Sequence, residues 1–243
     1  MPVVLKLIPR RRKTWVEIVP NLGDSIKLPR ELLPADIATG TAVDETRWRG
    51  LVALAEYHGL RDRALRILGR REHFIAELNR KLFKYSRDNE VIGRVLVDCQ
   101  RLGYLDDQRA AQLAVSQLVA RGGIGKVRLK QELFNRGCPV ELARAQVEEH
   151  AAELDEATVV KELLKSRRRQ FASRMHRMKA KLEPQLGAGA RLDRELRQKL
   201  SAAVLSFLAA RGLTGDVARQ PAREMVEVLL SETAGEPDLA SEP

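Results

Sequence analysis

The heptapeptide ELNRKLF (Glu77 to Phe83) returns 51 positions later as RLKQELF (Arg128 to Phe134), with Leu78, Leu82 and Phe83 answered by Leu129, Leu133 and Phe134. The echo continues: Glu90-Val91 becomes Glu141-Leu142. LDDQRAAQL (Leu105 to Leu113) recurs 49 positions on as LDEATVVKE (Leu154 to Glu162), and RGCPVELAR (Arg136 to Arg144) is echoed 75 positions later by RGLTGDVAR (Arg211 to Arg219). Self-similarity on this scale marks a repeat array, in which each small unit buries its apolar stripes within itself and against its neighbours. The expected fold is mainly α: tandem three-helix units in an elongated array, with a long side face suited to a long partner.

The local pattern agrees with helix. Ala, Leu, Arg, Glu and Gln, all strong helix formers, dominate the 243 residues, and only 4% are aromatic. Apolar stripes at helical spacing are Ile75, Leu78 and Leu82; Val91, Val95, Cys99 and Leu102; Ala111, Ala114, Val115 and Leu118; and Val140, Ala143, Val147, Ala151 and Leu154. Gly, Pro or Asp separates the stripes, which predicts short helices. The N-terminal segment differs. TWVEIV (Thr14 to Val19) alternates, NLGD (Asn21 to Asp24) supplies turn residues and SIKL (Ser25 to Leu28) resumes the alternation, so a small β-hairpin is expected before a helical period sets in near Asp44. The expected divisions are residues 1–50 for the hairpin and linker, 51–106, 107–154 and 155–230 for three helical units, and 231–243 for a disordered acidic tail.

Several classes are disfavoured. The longest apolar runs, such as Leu51 to Ala55, fall far short of the roughly 20 residues of a membrane span. MPVVLKLIPRRRK places its charges after a brief apolar stretch, unlike a secretory signal. Cys99 and Cys138 make neither a disulfide framework nor a metal quartet, which points to the reducing cytoplasm. The formal net charge of +10 and a pI near 9.9 suit nucleic acid or an acidic protein surface as partner.

The adjacent acids Asp106 and Asp107 are better read as a helix start than as a catalytic pair. Asp106 stands where a side-chain oxygen can cap a first turn, and Asp107 where the helix dipole favours negative charge. Asp155-Glu156 keeps the feature in the next unit. RGGIGKV (Arg121 to Val127) fails as a phosphate loop, because Ala120 and Val127 replace the required Gly and Ser or Thr; Gly123 and Gly125 need only supply backbone freedom. His58, His73, His150 and His176 lack metal spacing and read as surface or interface residues, and no GxSxG occurs. No catalytic residue, metal or cofactor is expected.

What remains is basic surface. From Lys161 to Lys181 nine cations, Arg167, Arg168 and Arg169 among them, face the single acid Glu162, opposite an apolar stripe of Val160, Leu164, Phe171, Met175, Met178 and Leu182. Such a helix is either a solvated face or a contact for phosphates or an acidic partner; membrane adsorption is the weakest reading for want of aromatic anchors. If about six cations met phosphates, affinity would fall about 10³-fold between roughly 50 and 200 mM salt. Without interleaved aromatics, base stacking on single strands has no support.

With the repeats aligned, the chain resembles the bacterial RecX family, modulators of the RecA recombinase. The matching motifs are ALRILGRRE with the following EL..KL (Ala64 to Leu82), GYLDDQRAA (Gly103 to Ala111), GIGKVRLKQEL..RG (Gly123 to Gly137) and FLAARGL (Phe207 to Leu213). They cover roughly Ala64 to Met225, and the hairpin fits the family's variable N-terminal region. The chain departs from the pattern at His73-Phe74, Ala110 and Lys126, and Pro221 inside the last helix predicts a kink or restart there.

The resemblance implies a protein that lies in the groove of the RecA filament on single-stranded DNA, bridges protomers, restrains growth and lowers ATP hydrolysis and strand exchange. Contact candidates, for acidic protomer surfaces and for single-stranded or double-stranded DNA, are Arg109, Lys126, Arg128, Lys130, Arg167, Arg168 and Arg169. A monomer without membrane association is expected. The alternative is a helix-turn-helix-like DNA-binding regulator that reads bases with Gln131 and Asn135 on the helix around Arg128 to Asn135.

Overall fold

The structure, a computed structural model, describes residues 1–10, 14–150 and 155–234. Its first elements are three strands, β1 (Val4–Arg10), β2 (Trp15–Pro20) and β3 (Ile26–Pro29), in one antiparallel sheet of order β1-β2-β3. The expected hairpin is β2 and β3, with Val16 opposite Leu28 and Ile18 opposite Ile26. β1 is an additional strand. Its alternation is broken by a register shift between Val4 and Lys6, and it carries Pro9, which a sheet tolerates at an edge.

One face of the sheet is covered by α1 (Glu45–Leu68), whose first turn is capped by Asp44 accepting the Arg47 N–H at 2.9 Å. Val4, Ile18, Ile26 and Leu28 pack with Trp48, Leu51 and Ala55 of this helix. Farther along, Leu60 and Ala64 of α1 join a second core with Leu78 and Leu82 of α2 (Ile75–Leu82) and Val91, Ile92, Val95 and Cys99 of α3 (Asn89–Arg101). α1 is therefore 24 residues long because it serves two cores in turn, against the expectation of short helices. Residues 50 and 51, an expected division, both lie within it.

The remaining helices are α4 (Asp107–Ala120), α5 (Lys126–Arg136), α6 (Val140–Glu149), α7 (Glu156–Leu186), α8 (Ala190–Ala209) and α9 (Asp216–Ala234). The chain forms two compact units, Met1–Ala110 and the residues from Ala111 onward. In the second unit α7, α8 and α9 share a core of Val160, Leu164, Phe171 and Met175 with Leu200, Val204, Leu208, Leu213, Ala222 and Val226, and the rings of Phe171 and Phe207 meet edge to face at 5.5 Å. α7, α8 and α9, at 31, 20 and 19 residues, are further exceptions to short helices, and the apolar stripe of α7 is interrupted at the exposed Arg168.

The sequence echoes map onto buried positions. Leu78 and Leu82 of α2 and Leu129 and Leu133 of α5 are all fully buried, each side chain contributing on the order of 1.5–3 kcal/mol. The 75-residue echo is a shared helix end: after α5, Gly137 (φ +97°) lets the Cys138 N–H reach the Leu133 carbonyl, and after α8, Gly212 (φ +76°) lets the Leu213 N–H reach Leu208. A left-handed residue at this place satisfies orphan carbonyls and turns the following apolar side chain inward; Cys138 and Leu213 are both buried.

Four expectations change. Leu102 and Val140, placed on apolar stripes, are exposed, because Leu102 ends α3 and Val140 starts α6. α9 runs through Pro221 without a restart. His73 is buried, 2% exposed, in the connection between α1 and α2. Ser231 belongs to α9, so the expected tail at 231 starts within a helix; residues 235–243 of that tail, and Ala151 and Leu154 of the predicted stripe, lie outside the described residues.

Candidate partner interface

The acidic pair has two separate tasks. Asp106 Oδ1 accepts the N–H groups of Gln108 at 2.8 Å and Arg109 at 3.1 Å, the expected cap of α4. Asp107 turns the other way and accepts the Ile75 N–H at 2.8 Å, so it caps the first turn of α2 from the start of α4. Burial, opposed by the Ile75 bond, pushes the Asp107 carboxyl up. The second unit repeats both parts: Asp155 accepts from Ala157 and Thr158, and Glu156 accepts the Lys126 N–H at 2.8 Å. Ile75 and Lys126 are the positions that the 51-residue echo equates, so the sequence carried the signal for this clasp.

Arg109 is committed within its own unit. Its guanidinium donates to both oxygens of Glu72, at 2.8 and 3.2 Å, and to the Gly103 carbonyl at 3.1 Å; the Glu72 bonds push its pKa up. It fastens the α1–α2 connection to the start of α4.

The other six candidates belong to the second unit. Arg128 is half exposed and pairs with Glu132 along α5, while the Lys130 ammonium lies 5.6 Å from the Phe134 ring centre. Lys126 is half-buried at the first helical position. Arg167, Arg168 and Arg169 do not share a face, since successive helical residues diverge by about 100°. Arg167 donates to Gln170 at 3.3 Å; Arg168 turns to α9 and pairs with Glu232; Arg169 is exposed.

A backbone contact gathers part of this set. The Gly125 N–H donates to the Arg211 carbonyl at 2.8 Å, so the turn after α8 sits on the first turn of α5. The approach is possible only without side chains: a Cβ on Gly125 would come 2.6 Å from the Gly212 carbonyl oxygen, and one on Gly212 would come 2.3 Å from the Arg128 nitrogen. Gly125 therefore serves close approach, not the backbone freedom expected of it. Arg211, absent from the sequence-based candidates, belongs to this turn. Its guanidinium rests 3.8 Å from the Phe207 ring centre, and burial, then the nearby Arg167, lower its pKa. The Arg128 backbone thus packs against the turn that carries Arg211, and the Arg167 charge is felt at Arg211. A cation whose charge is disfavoured by burial and by a like neighbour gains most from an incoming anion.

Among the described residues no group of three or more His, Cys, Asp or Glu could hold a metal ion, and no helix is long and apolar enough to cross a membrane. Cys99 and Cys138 are buried free thiols.

Sheet, repeated helices and basic turn define a class, a helical-repeat protein with a small N-terminal sheet. No protein-family model matches the chain. It is 33% identical over 161 residues to the regulatory protein RecX of Trichlorobacter lovleyi, covering 65% of this chain and 89% of that protein. It is 34% identical over 168 residues to the regulatory protein RecX of Halorhodospira halophila, covering 69% and 89%. A crystal structure of regulatory protein RecX matches with a TM-score of 0.53 at 15% identity, covering 95% of this chain and all of that one, a likeness of fold. The chain belongs to the RecX family of regulatory proteins.

Proposed function

We propose that this protein binds the RecA filament on single-stranded DNA and lowers its ATP hydrolysis, growth and strand exchange. Membership of the RecX family, at 33–34% identity over 89% of two relatives, is the observation that carries the reading. The tandem three-helix units are the frame, and the cations meet acidic protomer surfaces and DNA phosphates. Arg128 and Arg167, with Arg211 added, lead the contact set, because the Arg128 backbone packs on the turn after α8 and the Arg167 charge acts on Arg211 in that turn. Lys126, Lys130, Arg168 and Arg169 complete the set, and Arg109 acts through its hold on Glu72.

Recognition of bases by α5 is disfavoured. A reading helix presents its N-terminal turn to base edges. Here that turn is occupied by Glu156 and by the Arg211–Gly212 backbone, and Gln131 donates to Asn135 at 3.0 Å.

The test is a charge reversal. Arg167→Glu with Arg128→Glu is expected to weaken the effect on RecA at least tenfold with little change in the urea midpoint. Unchanged potency would remove this turn from the contact surface.

A further inference from the structure

We infer that the junction of α1 and α2 is a phosphate-binding site for a nucleotide, either free or as one residue of a nucleic-acid strand. A cleft of about 410 Å³ opens there, within the size range of small-ligand sites. Arg70 and Arg71 from the connection, Lys81 from α2 and Lys84 from the turn after it line the cleft. Against these four cations stands one carboxylate, Glu77, which accepts from Arg71 and from Lys81 at 3.0 Å. Three positive charges are left over in a concave surface, an arrangement that focuses potential on an incoming anion.

The floor is built. His73, 2% exposed, donates from Nδ1 to the Arg71 carbonyl at 2.8 Å, which fixes its tautomer and leaves Nε2 to accept from the Lys81 ammonium at 2.7 Å. Burial holds this imidazole neutral, its pKa lowered, so it adds no charge and serves to aim Lys81. Arg70 and Lys84 are exposed at the mouth and free to close on phosphate oxygens. The wall supplies the planar half of the recognition: Tyr85 is 56% exposed, with the Arg63 guanidinium 4.4 Å from its ring centre holding it in place. A base or sugar stacks there while its phosphate meets the cations. The site needs no RecA and is built from residues outside the proposed filament contact set.

The experiment uses the full chain, labelled with ¹⁵N, titrated with inorganic pyrophosphate, with ATP and with an oligothymidylate, while the amides of Arg71 and His73 are followed. All three are expected to shift these resonances. Arg70→Gln with Lys84→Gln, at exposed positions, should weaken each at least tenfold, and Tyr85→Ala should weaken ATP and the oligonucleotide but spare pyrophosphate. Tighter binding by the oligonucleotide than by ATP assigns a strand phosphate, and the reverse a free nucleotide; either supports the site. Equal affinity in wild type and the double variant, or no shift at Arg71 and His73, overturns it.

Discussion

Asp107 Oδ1 lies 2.8 Å from the backbone nitrogen of Ile75, so the second residue of the acidic pair closes the start of a helix that precedes it by 32 positions. Its counterpart Glu156 closes α5 at Lys126 by the same bond length. Removing the acceptor strands a part-buried N–H. Asp107→Ala is expected to cost about 1–2 kcal/mol and Glu156→Ala a similar amount, by urea unfolding. Asp107→Asn keeps the acceptor and removes the half-buried charge, so it should stay within about 0.5 kcal/mol of wild type. Because the folded-state pKa of Asp107 is raised, its contribution is fully present below the unfolded carboxylate pKa and declines as pH rises through the folded value. The wild type should therefore lose ground to Asp107→Asn on going from acid to neutral pH.

His73 predicts the opposite slope. Burial depresses its pKa below the ordinary 6.5, so its contribution is present above that value and is lost as pH falls through the folded one. Glu77 adds to this loss at lower pH: burial opposes its charge, yet bonds from Arg71 and Lys81 hold it below the ordinary 4.5. Urea midpoints measured downward from neutral pH should decline in the wild type, and His73→Gln should flatten the part of the curve just below 6.5. Parallel curves would contradict a buried neutral imidazole.

Gly212 and Gly215 separate close approach from backbone conformation. Both have positive φ, but a Cβ at Gly215 meets nothing within 4 Å, whereas one at Gly212 strikes the Arg128 backbone. Gly215→Ala should cost about 1–2 kcal/mol for the left-handed conformation alone. Gly212→Ala should cost more, by at least about 1–3 kcal/mol for the forced shift. It should also disturb the seat of Arg211 on the first turn of α5. Equal losses in the two variants would mean that the turn after α8 does not rest on α5.

Arg109→Gln is expected to lower the urea midpoint slightly, as for an ion pair with both members partly exposed. Glu72→Gln should do the same, and the double variant should lose little more than either alone. Additive losses would show that the two side chains act separately.

The repeat, the helical class and the capping role of Asp106 were legible because each depends on local spacing. Leu78, Leu82, Leu129 and Leu133 announce their place in the core by helical spacing alone. β1 was not legible, because its shifted register and Pro9 hide the alternation of an edge strand. The length of α1 was not legible for a different reason: two cores meet one helix on successive stretches, so no single stripe runs its length. The basic residues could be counted but not oriented. Arg109 and Arg168 are each committed to an acid far away in sequence, Glu72 and Glu232, and Arg211 joins the others only through a turn packed against α5.

The most direct test of the central claim adds the purified protein to RecA filaments on single-stranded DNA and follows ATP hydrolysis. Hydrolysis should fall progressively as the protein is added, and the fall should weaken with added salt as phosphate and acidic contacts are screened. Hydrolysis unchanged at several molecules per protomer would contradict the account.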